Sequence, residues 1–327
     1  MRRIAATDWL LALLGKLQRA LTDLRGVPPA ERQPPPEMRD PGPTAPAVYR
    51  PLQRLVLADE VARVLFDEYA NHRATERGDE ETGWALLGWR DADEAVALAT
   101  LPAGADREAG EAHVRFNSSA QAVASRIVRQ SDRRLALLGV VHTHPGSLRH
   151  PSDGDFRGDI SWVGQLRGAE GVFGIGTADG KYARPADELW RPRPNMQCRG
   201  DLCFNWYSLR QGAQAYQSLP VEIARGPDLA APLRGVWAII EEHAQRLERL
   251  ARQLTRVSFE VLVEPDRPAL GLAVPLADGE LSLRVVLTGK EVRYFLCREG
   301  SLLAADLSEP HADKGVFRLL AELAGGD

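Results

Sequence analysis

The sequence predicts an α/β protein built on a mixed sheet, with an N-terminal helical extension and a second, α+β unit at the C-terminus. Three observations lead there. Between residues 52 and 192, short apolar runs alternate with helix-period segments, the pattern of a sheet layered with helices. One of those runs, "LALLGVV" at 135–141, is apolar throughout, as a strand buried on both faces must be. Nine of the 22 prolines crowd into residues 27–51 and separate this block from a leucine-patterned start.

Residues 1–26 read as a helix. Leu10, Leu14, Leu17, Leu21 and Leu24 recur at spacings of four and three, a heptad seam, and Gly26 ends it. Two heptads are too short to stand alone, so this is expected to be a docking helix. The prolines of 27–51, including "QPPPE" and "DPGPTAP", remove backbone donors and leave an extended spacer.

The block 52–192 then gives a helix near 59–76, a strand "GWALLGWR", a turn at "DAD" and a second strand "EAVALATL". A Gly-containing loop leads to a short strand, "AHVRFN", and to a helix, "SSAQAVASRIVRQS", with Ser118 or Ser119 as its cap. The central strand "LALLGVVHTH" follows, then a helix from about 153 to 167, a strand "GVFGIGT" and a turn at Asp179-Gly180. From 196 to 327 the expectation is an α+β domain: two helices, a meander "LSLRVVLT-GK-EVRYFLCRE-GS-LLAADL" and a closing helix. The helix at 234–254 sets Val236, Ile240, His243, Leu247, Leu250 and Leu254 at four-three spacing. That face offers the N-terminal helix a surface, in the same chain or in a second copy, and a homodimer through these heptads is one expected assembly.

Composition narrows the function. The chain of 327 residues has 44% hydrophobic and 26% charged residues, which suits a soluble globular protein of two domains or one with extensions. A net charge of −4 gives no basic footprint for nucleic acid or an anionic membrane. "WLLALLG" is too short to span a bilayer. Three cysteines, Cys198, Cys203 and Cys297, form a sparse odd set that points to a reducing, cytoplasmic setting. Cys198 and Cys203 lack the further ligands a second metal site would need.

The chemistry gathers in "VVHTHPGSLRHPSDGDF", residues 140–156. His142 and His144 stand two apart at the end of a predicted strand, so both imidazoles project to one side. Ser152 is placed to cap the following helix, and Ser152-Asp153-Gly154-Asp155 has the form of a capping box with Asp in place of the usual Glu. Asp155 in the first turn is favoured by the helix dipole. Two imidazoles and one carboxylate, with a fourth position open, make the donor set of a catalytic zinc. A metal-activated water also needs a carboxylate base. The acidic run "GDEETGWALLG" supplies Glu81 at the start of a strand, with Glu80 as its competitor. Asp159, one turn beyond Asp155, is the substitute ligand; Asp153 and Asp159 otherwise read as solvated or capping groups. His150 reads as exposed or adjacent rather than ligating, and His243 as a core or interface residue.

His142-Thr-His144, seven residues, Ser152, two residues and Asp155 spell H-x-H-x7-S-x2-D, and Glu81 to Gly88 fits E-x-x-x-x-L-x-G. Together they resemble the JAMM (JAB1/MPN/Mov34, MPN+) zinc metallopeptidases, a family that includes deubiquitinases and bacterial relatives found with ubiquitin-like conjugation systems. The likeness is close over residues 80–156, extends over the rest of 52–192 by element order, and does not reach the two flanking blocks. It implies Zn2+ held by His142, His144 and Asp155, Glu81 as general base and then acid, and Ser152 donating to the developing oxyanion or the active-site water. It implies hydrolysis of a peptide or isopeptide bond after the C-terminal tail of a ubiquitin-like or sulfur-carrier-like protein. That tail would be held as an added strand, with activating and conjugating enzymes as further partners. Trp84 departs from the pattern, since many relatives have a small residue there; the indole either narrows the substrate groove or fills the core. Two other readings compete. One is a non-catalytic MPN-type scaffold within a conjugation assembly; the other is a two-histidine-one-carboxylate iron oxygenase, which leaves Glu81 and Ser152 without a role.

Overall fold

The computed structural model describes residues 48–327 except 106–107, 110–113, 147, 179–184, 186–187, 263–267, 277–280, 290, 299–300 and 325–327. The expected docking helix, the linker as far as residue 47 and the Asp179-Gly180 turn lie outside the described residues.

Strand β1 (Arg54–Ala58) runs directly into α1 (Asp59–Arg73), whose Val61, Ala62, Leu65, Phe66 and Tyr69 recur at three- and four-residue spacing and form its buried face. Asp59 and Glu60 open that helix and His72 and Arg73 close it, the arrangement the helix dipole favours. Strands β2 (Gly83–Arg90) and β3 (Glu94–Pro102) form the expected hairpin, followed by two-residue strands β4 (Glu108–Ala109) and β5 (Val114–Arg115). Helix α2 (Ser118–Arg129) is capped by Asn117 rather than by a serine, because the Asn117 side chain accepts from the Ala120 N–H and the two serines already lie inside the helix. Next come β6 (Ala136–Thr143), α3 (Asp153–Ile160) and β7 (Glu170–Ala178). The helix expected to reach 167 stops at Ile160; separate 3-10 turns follow, and Gly168, at φ 74°, takes a left-handed conformation that no regular helix holds.

The first sheet does not end at 192. Strands β8 (Leu189–Arg193), β9 (Met196–Arg199), β10 (Leu202–Arg210), β11 (Gln217–Ser218) and β12 (Val221–Ala224) all join it, so the boundary expected between 192 and 196 falls inside the β8–β9 hairpin. Among the described residues a 3-10 helix (Ala231–Val236) and one α-helix precede the β-rich stretch; the second α-helix expected gives way to these strands. The reason is physical: β10 is buried on both faces and shows no alternation that would mark it as a strand. The order is β12-β1-β3-β2-β6-β7-β10-β9-β8, with β11 on β10. Central β6 pairs antiparallel with β2 and parallel with β7, which makes the sheet mixed. Its two ends approach each other: Arg191 donates to the Val221 carbonyl at 2.7 Å, and the Val221 N–H donates to the Pro194 carbonyl at 2.9 Å.

Inside the curl, α1 packs with Leu55, Trp84, Leu86, Val141, Phe204, Trp206 and Val221. On the other face, Ala85, Leu87, Ala99 and Leu101 meet α2 and α4 (Trp237–Gln253). The same apolar cluster continues into a second, antiparallel sheet of β13 (Ser258–Leu262), β14 (Ala269–Pro275), β15 (Leu281–Thr288), β16 (Glu291–Arg298) and β17 (Ser301–Ala304), closed by α5 (Ala312–Ala324). Val236, Ile240, His243, Leu247 and Leu250 are therefore buried within the chain, and the surface expected to receive the N-terminal helix is not available on α4.

Cys198 and Cys203 face each other across β9 and β10 and are joined in a disulfide, because the tight hairpin between them puts them in register; Cys297 is free. The expectation of three reduced thiols does not hold. Among the described residues no helix is long and apolar enough to cross a membrane.

Candidate metal centre

The site lies where β6 ends beside its parallel neighbour β7, at the carboxyl end of the strand pair, where crevices form in sheets of this kind. His142 and His144, each 6% exposed, project from the same face. The His144 N–H of the main chain donates to the Gly176 carbonyl at 2.8 Å, which fixes the strand end to β7. The ring Nδ1 of His144 donates to the Leu148 carbonyl at 2.8 Å, leaving Nε2 as the nitrogen free to ligate. Ser152 caps α3 and completes the box reciprocally: Asp155 N–H to Ser152 Oγ at 3.2 Å, Ser152 N–H to Asp155 Oδ2 at 2.6 Å. The carboxylate is thereby aimed at the imidazoles.

Donor atoms of three side chains converge. His142 Nε2 lies 3.1 Å from His144 Nε2, Asp155 Oδ1 lies 3.2 Å from His142 Nε2, and Asp155 Oδ2 lies 3.4 Å from His144 Nε2. A tetrahedral zinc with bonds of about 2.0–2.1 Å sets its donors roughly 3.3–3.4 Å apart. These separations suit such an ion, and the same three residues are the cluster whose ligand atoms gather within 4.8 Å. The local field agrees. Burial works against the Asp155 carboxylate, but hydrogen bonds with His142 and His144 outweigh it and hold its pKa well below the ordinary range. Burial likewise opposes charge on His144, yet the Asp155 and Leu148 hydrogen bonds and the negative charges of Asp155 and Glu81 raise its pKa. The pocket thus favours positive charge.

Glu81 is brought to the trio by strand register. Gly83 pairs with His142 across β2 and β6. One step outward, the Thr82 N–H donates to Thr143 Oγ1 and the Thr143 N–H to the Thr82 carbonyl, both at 2.9 Å. Carried one residue further, that pairing turns Glu81 toward His144, whose imidazole feels the Glu81 charge, and residues opposed on antiparallel strands share a face. It is 4% exposed. Glu80 points elsewhere: its carboxylate accepts from Arg77 Nε at 2.7 Å, and its carbonyl meets His72 Nε2 at 2.9 Å. Gly83, between the glutamate and His142, has no room for a side chain, since a Cβ there would come within 2.7 Å of the Val141 carbonyl and 3.0 Å of the Phe116 ring.

Residues 63–191 match the family model described as prokaryotic homologs of the JAB domain. This part of the chain is similar to JAB domains. A solution structure of protein DSY2949 from Desulfitobacterium hafniense is also similar at 15% identity, covering 53% of this chain and 94% of that one, with a TM-score of 0.35, too loose a likeness to bear on fold or function. No curated protein matches the chain.

The other residues marked in the sequence sort by burial. His150 and Asp153 are exposed, and His243 is a core residue that meets the Gly289 carbonyl at 3.1 Å. Asp159 is not solvated: it accepts from Tyr216 at 2.7 Å and from Trp162 Nε1 at 3.2 Å, and burial pushes its pKa up to about 6. Trp84 is 2% exposed, packs edge-on against Phe204 and donates to Glu68, so it fills the core and lines no groove. Sequence reasoning passed over Thr143, Phe116, Tyr207 and Tyr216, none of which carries a spacing signal.

Proposed function

We propose that the chain is a zinc-dependent peptidase or isopeptidase that cleaves after the C-terminal tail of a ubiquitin-like or sulfur-carrier-like protein. What supports this reading is the β2–β6 register, continued by the Thr82–Thr143 bonds, which brings buried Glu81 toward the donors, so that its charge acts on His144. A scaffold needs the fold but no buried acid at that position. His142, His144 and Asp155 would hold zinc, which when bound supplies Lewis acidity toward a carbonyl oxygen and lowers the pKa of water.

This chain's own residues do the rest. The Glu81 carboxylate takes the proton of the attacking water as the C–O bond forms and returns it to the leaving nitrogen as the C–N bond breaks. Its near-complete burial strengthens that proton transfer by keeping bulk water away. Ser152 Oγ already accepts from the Asp155 N–H, which leaves its hydroxyl hydrogen to donate to the oxygen that gains charge on the substrate. The tail would lie extended along a strand edge, and the activating and conjugating enzymes of its pathway are the proposed further partners.

The test uses the purified full chain and a ubiquitin-like protein extended beyond its C-terminal tail. Glu81→Gln should abolish cleavage with zinc still bound, and His144→Ala should lose both. Cleavage by Glu81→Gln at the rate of the unaltered protein refutes the assignment of the base; a protein that takes up neither zinc nor substrate supports the scaffold instead.

A further inference from the structure

We propose that Tyr207 and Tyr216, two phenols of the β10–β11 region, are positioning residues for the metal ligands, so that chain beyond the JAB-family match completes the site. The match ends at residue 191. The proposal rests on the zinc reading for its metal and on separate contacts for its residues.

The need for such residues follows from α3. This eight-residue helix carries Asp155, yet none of its residues is fully buried. A helix of two turns does not hold its own orientation; packing must set it. One turn beyond Asp155, and so on the same side of the helix, Asp159 accepts the Tyr216 hydroxyl at 2.7 Å. The Tyr216 ring also meets Phe156 of α3 with centroids 6.0 Å apart and Phe173 of β7 at 5.4 Å. One side chain thus ties the rotation of α3 to the strand beside the histidines.

The second arm runs through the loop between the histidines and α3. His144 keeps its ligating tautomer by donating to the Leu148 carbonyl. The next carbonyl, that of Arg149, accepts the Tyr207 hydroxyl at 2.8 Å. Tyr207 pairs with Phe173 across β7 and β10, and its ring lies 6.3 Å from that of Tyr216. A single aromatic cluster therefore holds the carboxylate arm through the helix and the imidazole arm through the loop.

Tyrosine-to-phenylalanine changes keep the rings and remove only the hydroxyls. Zinc dissociation constants are measured on the metal-stripped full chain by competition with a chromophoric chelator. Tyr216→Phe and Tyr207→Phe should each bind zinc about tenfold more weakly, and the double variant more weakly than either. Tyr294→Phe serves as the control: it removes a hydroxyl that donates to the Glu309 and His311 carbonyls in the second sheet, and should leave zinc affinity within about twofold. Metal-free melting temperatures recorded in parallel should fall to a similar extent in all three single variants, which a purely structural role would also give. Site variants that bind zinc as tightly as the unaltered chain, or a control that weakens binding equally, overturn the proposal. An unaltered chain that binds no zinc removes the zinc reading, and this proposal falls with it.

Discussion

Trp84→Ala separates a residue of the core from one that shapes the substrate path. The indole is buried among Phe204, Phe66 and Leu86 inside the curled sheet and donates to Glu68, which also pairs with Arg234 at 2.9 Å. Truncating a buried tryptophan to alanine costs about 3–5 kcal/mol. Unfolding a body of about 280 residues carries an entropy near 0.6 kcal/mol per degree, so a loss of about 4 kcal/mol lowers the melting temperature by roughly 7 °C. Trp84→Phe, which keeps most of the ring volume and loses the donor, should cost about 1 kcal/mol. Thermal denaturation measures the first effect. Cleavage normalised to folded, zinc-loaded protein measures the second and should stay within about twofold. A melting temperature within 2 °C of the unaltered protein, together with a changed KM or a wider substrate range, would refute the core assignment.

Glu81→Gln should lower kcat by about 10²–10⁴ or more while zinc stoichiometry is unchanged, since the residue is placed as base and not as ligand. Alkylation under denaturing conditions should label one thiol without reductant and three with it, and reduction should cost about 2 kcal/mol, the chain-entropy value for so short a loop; three thiols labelled in both cases would remove the disulfide. In the metal-free protein Asp159 has a folded pKa of about 6, above its ordinary value of 3.8, so folding takes up a proton there. Its contribution to stability is full below about pH 4 and is lost as pH rises through about 6, up to about 3 kcal/mol in all; Asp159→Asn should flatten that limb of the stability–pH curve. Zinc at a hundred times its dissociation constant should stabilise the fold by about 2.7 kcal/mol, read as a drop in melting temperature when a chelator is added.

The local parts of the site are legible from spacing alone. Two histidines separated by one residue on a strand share a face, and a serine three residues before an aspartate has the form of a capping box that aims the carboxylate. Glu81 is different: sixty residues separate it from the histidines, and nothing in its own neighbourhood says that it meets them. Its likeness to the family pattern singled it out, and the physical cause is the register of β2 on β6. The strands from 196 to 224 escaped notice because burial on both faces erases alternation in β10. The helix cap went to Asn117 because three adjacent polar residues compete and only backbone conformation chooses among them. Tyr207 and Tyr216 act through hydrogen bonds to Arg149 and Asp159, contacts that leave no periodic trace in a sequence.

The stretch that resembles a known family is shorter than the object that folds. A fragment cut at residue 191 would keep Glu81, both histidines, Ser152 and Asp155, yet it would strip β7 of β10 and β1 of β12. Both would become naked edges, prone to pair with other molecules before any catalysis could be assayed. It would also discard α4, which covers the outer face of β2 and β3. Expression trials that trim this protein to its recognisable motif should therefore yield aggregates, and a useful version must keep the chain at least through α4.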